Sequence, residues 1–230
     1  EEHRANVREL SSLLAELGLA LNCVLLDGSP ASALDRLPDA GLSIVLPGGE
    51  AAAAVLSERL GHPSVEVPFP IGLAATRAFL ERVGRAAGRA AEAVAIADRE
   101  ERAATAVLRQ AAEPLKGRRI ALFADGAKLF GLLGLCRDVN AVPVLAGVLD
   151  GRTSRMTDAG SDRLEILDDP GDGTVHRRLR ELGAAGIDLV VAPAPIATLA
   201  LRLGLRAIEF GFPCRAHQAL YPVPYAGYGG

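Results

Sequence analysis

The chain has no tryptophan, one methionine and three cysteines, and only 4% of its residues are aromatic. The cysteines, Cys23, Cys136 and Cys214, are odd in number and far apart, and no CxxC, HExxH or zinc-ribbon spacing occurs. A disulfide framework and a structural zinc site are therefore excluded as the organising device, and a reducing compartment, the cytoplasm, is expected. No apolar run approaches membrane-spanning length, and the charged start "EEHRANVREL" has no signal-peptide core. Charge of one sign is also missing: 25 basic residues against 28 acidic give −3, so neither nucleic acid nor a membrane surface is expected as a partner. There is no GxGxxG behind the first strand candidate, no Walker loop and no GxSxG elbow, which argues against a free-standing dehydrogenase or hydrolase.

What is present is an ordinary globular composition, half apolar and 23% charged, over 230 residues. A chain of that length buries roughly 70% of its unfolded surface and needs no staples. "LSIVLP" (42–47), "RIALFAD" (119–125) and "DLVVAP" (188–193) are continuous apolar runs of strand length, the pattern of strands covered on both faces. Further strands are expected at 19–28, 143–151 and 163–169. Helical patterns fill 3–17, 50–60, 73–87, 128–139, 174–184 and 195–203, with Gly18, Gly61, Gly88 and Gly204 placed as C-terminal caps. The alternation predicts an α/β fold: two Rossmann-like units with mostly parallel sheets joined by a long helix. Their expected extents are 1–88 for a unit lacking its first strand, 89–115 for the connecting helix, and 116–230 for a second unit with a closing C-terminal loop. The chain opens in a helix with no strand before it, so either the fold begins with a helix or the chain is a fragment.

In open parallel sheets ligands bind beyond the carboxyl ends of the strands, and three loops hold that place here. In "LPGGEAAAA", Gly48 and Gly49 permit close backbone approach and Glu50 opens a helix. Free N–H groups there favour anions, while a plain tight turn with Glu50 complementing the helix dipole explains the same residues. In "FADGAKLFGLLGL", Asp125 is placed to cap a helix and Gly126 to turn the chain. Lys128 falls in the first helical turn, where a cation is disfavoured by ~0.3–1 kcal/mol. It either points into water beside Asp125 or meets an anionic ligand. The closing "EFGFPCRAHQALYPVPYAGYGG" carries a Cys214-x-x-His217 pair, too few ligands for a metal by itself. Arg215, His217, Tyr221 and Tyr225 either line a pocket there or, with Phe210 and Phe212, close the edge of the core.

Four stretches, in order, resemble the nitrogenase component 1 family, which includes the molybdenum–iron protein, its cofactor-assembly scaffold and the dark-operative protochlorophyllide reductase subunits. They are "RELSSLLAELGLALNCVLLDGSPASALDRLPDAGLSIVL", "ERLGHPSVEVPFPIGLAATRAFLERVGRAAG", "LKGRRIALFADGAKLFGLLGLCRDVNAVPVLAGVL" and "DLVVAPAPIATLALRLGLRAIEFGFPCRAH…YPVPYAGYGG". The resemblance implies a subunit, or a fragment of one, that houses a metallocluster or a tetrapyrrole-type cofactor or substrate at an inter-domain cavity. Its implied partners are a homologous component 1 subunit and an iron-protein ATPase that supplies electrons. The cofactor is otherwise unspecified, and an iron–sulfur cluster or a tetrapyrrole is expected only in a larger complex, the cluster because it takes about four thiolates. By the same resemblance, "VPYAGYGG" is similar to the segment that carries the cluster's histidine ligand, and Ala226 stands at that histidine. The cluster's cysteine falls at about Pro47. Lys128 corresponds to a cofactor-facing arginine, Arg215, His217 and Tyr225 to the cavity wall, and Gly48 and Gly49 to a point of close approach. The family's usual first strand would precede residue 1. The missing ligands shift the expectation from dinitrogen toward a tetrapyrrole-type or other substrate, or toward an assembly scaffold. A non-catalytic two-lobed module that binds a small anion or metal chelate is the alternative from a different class, because fold alone does not decide function.

Overall fold

The computed structural model describes residues 2–25, 30–151, 164–215 and 223–230. Every strand pair in it is parallel, as the continuous apolar runs require. Two compact units are present: residues 1–106 with 221–230, and residues 107–220.

The first unit contains α1 (Glu2–Glu16), a 3-10 segment (Ala31–Asp39), β1 (Ser43–Val45), α2 (Glu50–Leu60), β2 (Ser64–Glu66), α3 (Leu73–Ala86) and most of α4 (Ala90–Ala112). Among the described residues its sheet has two strands, β1 and β2. Its core is helical in origin: Leu13, Leu14 and Leu17 of α1 meet Phe79, Leu80 and Val83 of α3 and Ala93, Ile96 and Ala97 of α4. Arg77 fixes α3 to α4, bonding Asp98 at 2.7 Å, Glu101, and Glu81 on its own helix. Asp98 first, then Glu101, raise the guanidinium pKa still further, so the cation is permanent.

The strand expected at 19–28 is a correction. Residues 19–25 form no ladder, and 26–29 lie outside the described residues. The backbone and side-chain groups there are used otherwise. Leu19 donates its N–H to Leu14 O at 2.9 Å to close α1, and Asn22 Nδ2 donates to Arg36 O at 2.6 Å. Leu21 and Leu25 are exposed, so an apolar run here is not a buried strand. No pattern in the sequence marks β2 or the 3-10 segment.

The second unit contains β3 (Arg119–Ala124), α5 (Gly126–Asp138), β4 (Val142–Val148), β5 (Glu165–Asp168), α6 (Asp172–Ala184), β6 (Leu189–Ala192), α7 (Ala194–Arg202) and β7 (Ala207–Glu209). Its strand order is β5-β4-β3-β6-β7, which reverses direction between β3 and β6. That is the doubly wound order, with its switch point at the carboxyl ends of those two strands. Phe123, Leu145 and Val190 of the sheet pack on Val175 and Leu179 of α6 and Ala200 of α7.

At the opposite end of the sheet Asp188 ties β3 to β6. It accepts from Arg119 N at 2.8 Å and from Arg118 Nη1 at 2.9 Å. The backbone bond, then Arg118, hold its carboxyl below the usual range. A lowered folded pKa gives stability that is present above the unfolded value of about 3.9 and lost as pH falls through the folded pKa. Asp188→Asn is therefore expected to lower the thermal midpoint at neutral pH, with the gap closing as the pH falls through the lowered folded pKa of Asp188. Thermal scans of both proteins against pH check this; a gap that does not depend on pH sinks it.

Two boundaries differ from expectation. The division between units falls inside α4, after Ala106, and residues 221–230 belong to the first unit rather than closing the second. The physical reason is that the backbone N–H groups of Tyr225, Ala226, Gly227 and Gly229 are satisfied by α1 and the loop before α3. Tyr225 N donates to Asn6 Oδ1 at 2.8 Å, Gly227 N to Pro70 O at 2.9 Å and Gly229 N to Glu9 Oε1 at 3.0 Å. Sequence adjacency cannot show bonds between opposite ends of a chain. No described helix is long and apolar enough to cross a membrane.

Candidate functional site

At the end of β3 the chain turns into α5 through Asp125 and Gly126. Asp125 is the N-cap, its Oδ1 accepting from Lys128 N at 3.1 Å, and its Oδ2 lies 2.7 Å from Lys128 Nζ. One carboxylate thus complements the helix dipole and neutralises the cation that the first turn disfavours. Asp150, just beyond β4, adds a second carboxylate: its Oδ1 accepts from Gly126 N at 3.0 Å. The carboxyl ends of two neighbouring strands are thereby linked. Sequence reasoning passes over Asp150 because it falls at the tail of the expected 143–151 strand, where an Asp-Gly pair marks a turn.

Beyond β7 the chain passes through a cis Phe212–Pro213 peptide. Pro213 O accepts from Ala194 N at the start of α7 at 2.8 Å. Glu209 organises the rest, its Oε2 accepting from Arg215 N at 2.8 Å and from the Cys214 thiol at 3.3 Å. The Arg215 side chain is exposed. His217 and Tyr221 lie outside the described residues, and with His217 goes the Cys-x-x-His pair. Cys136, by contrast, is buried within α5, and burial pushes its thiol up to about 11, so it stays protonated at neutral pH.

The remaining site residues are in the first unit. Gly48 has φ +96°, a turn conformation closed to most side chains. Its N–H donates to Glu50 Oε2 at 2.9 Å, and Gly49 N donates to Leu46 O at 2.9 Å. Glu50, the first residue of α2, thus folds back onto the turn that precedes it. Tyr225 stacks on Phe69, with ring centroids 6.1 Å apart and planes 17° from parallel. Its N–H and that of the buried Ala226 both donate to Asn6 Oδ1, at 2.8 and 3.2 Å. Asn6 and Phe69 carry no local motif and are not legible in the sequence.

Gly48, Gly49, Glu50 and Tyr225 thus belong to the first unit, and Asp125, Gly126, Lys128 and Arg215 to the second. Within the second, Asp125, Gly126 and Lys128 are joined by hydrogen bonds with Asp150.

The sequence matches the nitrogenase component 1 type oxidoreductases over residues 1–230. It is 34% identical to a light-independent protochlorophyllide reductase subunit of Halorhodospira halophila over 54% of this chain and 23% of that protein. Against the corresponding polypeptide of Methylobacterium radiotolerans it is 27% identical over 97% of this chain and 42% of that protein. The chain therefore spans less than half the length of these relatives. Among solved structures, nitrogenase Cp1 at pH 6.5 superposes with a TM-score of 0.80 at 20% identity, covering 98% of this chain and 54% of that one. The SBP FpvC of Pseudomonas aeruginosa, in complex with Mn2+, has a TM-score of 0.55 at 13% identity over 88% of this chain and 84% of that one. These two likenesses are of fold. The match along all 230 residues shows that the chain belongs to the nitrogenase component 1 type oxidoreductase family.

Proposed function

We propose that this chain is part of a reductase subunit that receives a tetrapyrrole-type substrate, with electrons delivered by an ATP-driven iron–sulfur partner and a homologous subunit completing the assembly. The observation that carries this reading over a cluster-holding one is Ala226. At the position where the resemblance puts a histidine ligand stands a fully buried methyl side chain whose backbone N–H is committed to Asn6. Pro47, at the cysteine's place, has no ligand atom to offer. Among the described residues no group of three His, Cys, Asp or Glu is placed to hold a metal ion. These residues do not fit the molybdenum–iron cluster, whereas an organic macrocycle needs apolar walls and a few polar contacts rather than metal ligands.

In this reading Lys128 faces a substrate carboxylate. Asp125 is then its resting counter-ion, exchanged when the substrate arrives. Asp125 and Gly126 set the helix that carries Lys128. The two relatives named above, both from light-independent protochlorophyllide reductases, support protochlorophyllide as the first substrate to try. The rival reading, a two-lobed binding module, draws on likeness of fold alone.

The test is reconstitution. The chain, within its subunit, is combined anaerobically with the homologous subunit, the iron–sulfur ATPase, dithionite, ATP and protochlorophyllide. The expected result is an ATP-dependent shift of the pigment's red absorption band, as one ring double bond takes up two electrons and two protons. An unchanged pigment spectrum with every component folded and ATP being hydrolysed would overturn the proposal and favour a binding role.

A further inference from the structure

The start of α5 is held by the protein's own carboxylates. The first N–H groups of a helix have no partner within it, and in doubly wound sheets that place commonly takes a phosphate. Here the Gly126 N–H donates to Asp150 Oδ1 at 3.0 Å and the Lys128 N–H to Asp125 Oδ1 at 3.1 Å. Asp125 Oδ2 in addition lies 2.7 Å from Lys128 Nζ. Asp125 is an ordinary cap, adjacent to the helix in the chain. Asp150 is not: it reaches Gly126 from beyond β4, 24 residues along the chain, and its bond comes on top of the cap.

The neighbouring strand ends have the same character. β5 ends on Asp168, in register with Val148 at the end of β4. β7 ends on Glu209, whose carboxylate accepts from Arg215 N and the Cys214 thiol. The carboxyl edge of this sheet thus carries Asp125, Asp150, Asp168 and Glu209 against the cations Lys128 and Arg215. An edge with that excess repels a multiply charged anion more strongly than it repels a single carboxylate. Gly126 is buried, whereas Asp150 is exposed. Loss of the Asp150 carboxylate would therefore leave a donor inside the turn without that acceptor, the condition under which an anion from solution is taken up.

We propose that Asp150 is a specificity-determining residue: its carboxylate holds the Gly126 N–H, closes the start of α5 to phosphate, and so directs an anionic substrate to the Lys128 ammonium. The closure rests on the geometry of Asp150, Gly126 and Asp125. The direction toward a substrate carboxylate rests on the function proposed above. A ligand whose anionic end is a phosphate, such as a nucleotide, is excluded from this turn, although the strand order is one that elsewhere receives it.

Inorganic phosphate, titrated into the 230-residue chain at constant ionic strength, is the probe, read by the NMR amide shifts of Gly126 and Lys128. The native chain is expected to show no saturable shift at Gly126. Asp150→Ala is expected to show one, with an affinity at least about tenfold above the native chain, because phosphate then makes the charge-assisted bond that the carboxylate made before. Asp150→Asn keeps an acceptor for Gly126 and loses the charge, and is expected to fall between the two. A loss of stability alone would not create saturable phosphate binding at one turn. Equal binding by Asp150→Ala and the native chain overturns the closure, as does absence of binding to both variants. Binding by Asp150→Asn as tight as by Asp150→Ala overturns it too, because the bond to Gly126 would then close nothing. Should Asp150→Ala not fold, the comparison of Asp150→Asn with the native chain decides, with a gain expected for the variant. In the reconstituted assembly, added phosphate is expected to raise the KM for protochlorophyllide more in Asp150→Asn than in the native subunit, with kcat kept. Should reduction succeed while neither variant takes up phosphate, this inference falls and the proposed function stands. Phosphate uptake by the variants without any reduction leaves the closure standing and removes the proposed function.

Discussion

Replacing Gly84 with alanine is expected to destabilise the first unit by about 2 kcal/mol, although the same exchange in an open helix would stabilise it. Glycine in a helix interior costs about 1 kcal/mol relative to alanine, so propensity alone predicts a gain. The geometry reverses the sign. A Cβ built on Gly84 would lie 2.4 Å from Ala93 Cβ and 2.9 Å from Arg89 O. Carbon atoms in contact prefer about 3.5–4.0 Å, and neither neighbour is the free end of a flexible chain. One is the first carbon of a fully buried side chain and the other is backbone. Overpacking of this kind costs about 1–3 kcal/mol, and relief requires α3 and α4 to separate. That movement would open the contacts of Leu80 and Val83 with Ala93 and Ala97, the centre of this unit's core. Gly134→Ala in α5 is the comparison, because a Cβ there meets nothing within 4 Å. It should stabilise by about 0.5–1 kcal/mol. Urea titrations of both variants decide the matter, read as midpoint shifts at unchanged m. A stabilising Gly84→Ala would mean that the two helices do not approach as closely as the structure shows.

The contrast between those glycines shows what a sequence of this kind yields to reading. Both sit in helical patterns, and nothing local distinguishes the one that touches a neighbour from the one that does not. Strands β3, β4 and β6 are legible because a strand buried on both faces must be apolar throughout, and "RIALFAD" and "DLVVAP" are. The three-residue strands β2 and β7 carry too few positions for any period to register. The opposite error arises at 19–25, where an apolar run is expected to pair but Leu19 and Asn22 spend their hydrogen bonds on α1 and the 3-10 segment. Among the site residues, the Asp125 cap follows from residue type and position alone, whereas its ion pair with Lys128 is seen only in the coordinates. Asp150, Glu209, Asn6 and Phe69 act across space. Their roles come from which loops the sheet and α1 bring together, so only coordinates reveal them.

Gly147 poses the same kind of problem inside the sheet of the second unit, and there a pair of substitutions can isolate the cause. Gly147 on β4 lies directly across from Phe123 on β3. A Cβ at Gly147 would fall 2.2 Å from Phe123 Cδ1 and 2.6 Å from Cε1. Glycine weakens a strand interior by about 0.5–1 kcal/mol, so its presence here reflects the ring that lies over it. Phe123 is fully buried among Leu145, Val175, Leu179 and Val190, and a ring so enclosed cannot swing away without displacing α6. Gly147→Ala is therefore expected to cost about 3 kcal/mol, the upper end of overpacking. Phe123→Ala is expected to cost about 3–5 kcal/mol through the cavity it leaves. With the ring gone the added methyl has room, so the double variant should be no less stable than Phe123→Ala alone. The coupling free energy should then be near ~3 kcal/mol, at the top of the range for residues in contact. Chemical denaturation of the native chain, both single variants and the double variant measures it. Additive losses would show that the ring does not occupy the space above Gly147. The consequence reaches the candidate site, because β3 and β4 end within a few residues of this contact, at Asp125 and Asp150. A displaced Phe123 would strain the Gly126–Asp150 bond that joins those ends. Gly147→Ala should accordingly speed amide exchange at Gly126 more than Gly84→Ala does, even when the two variants are compared at equal global stability.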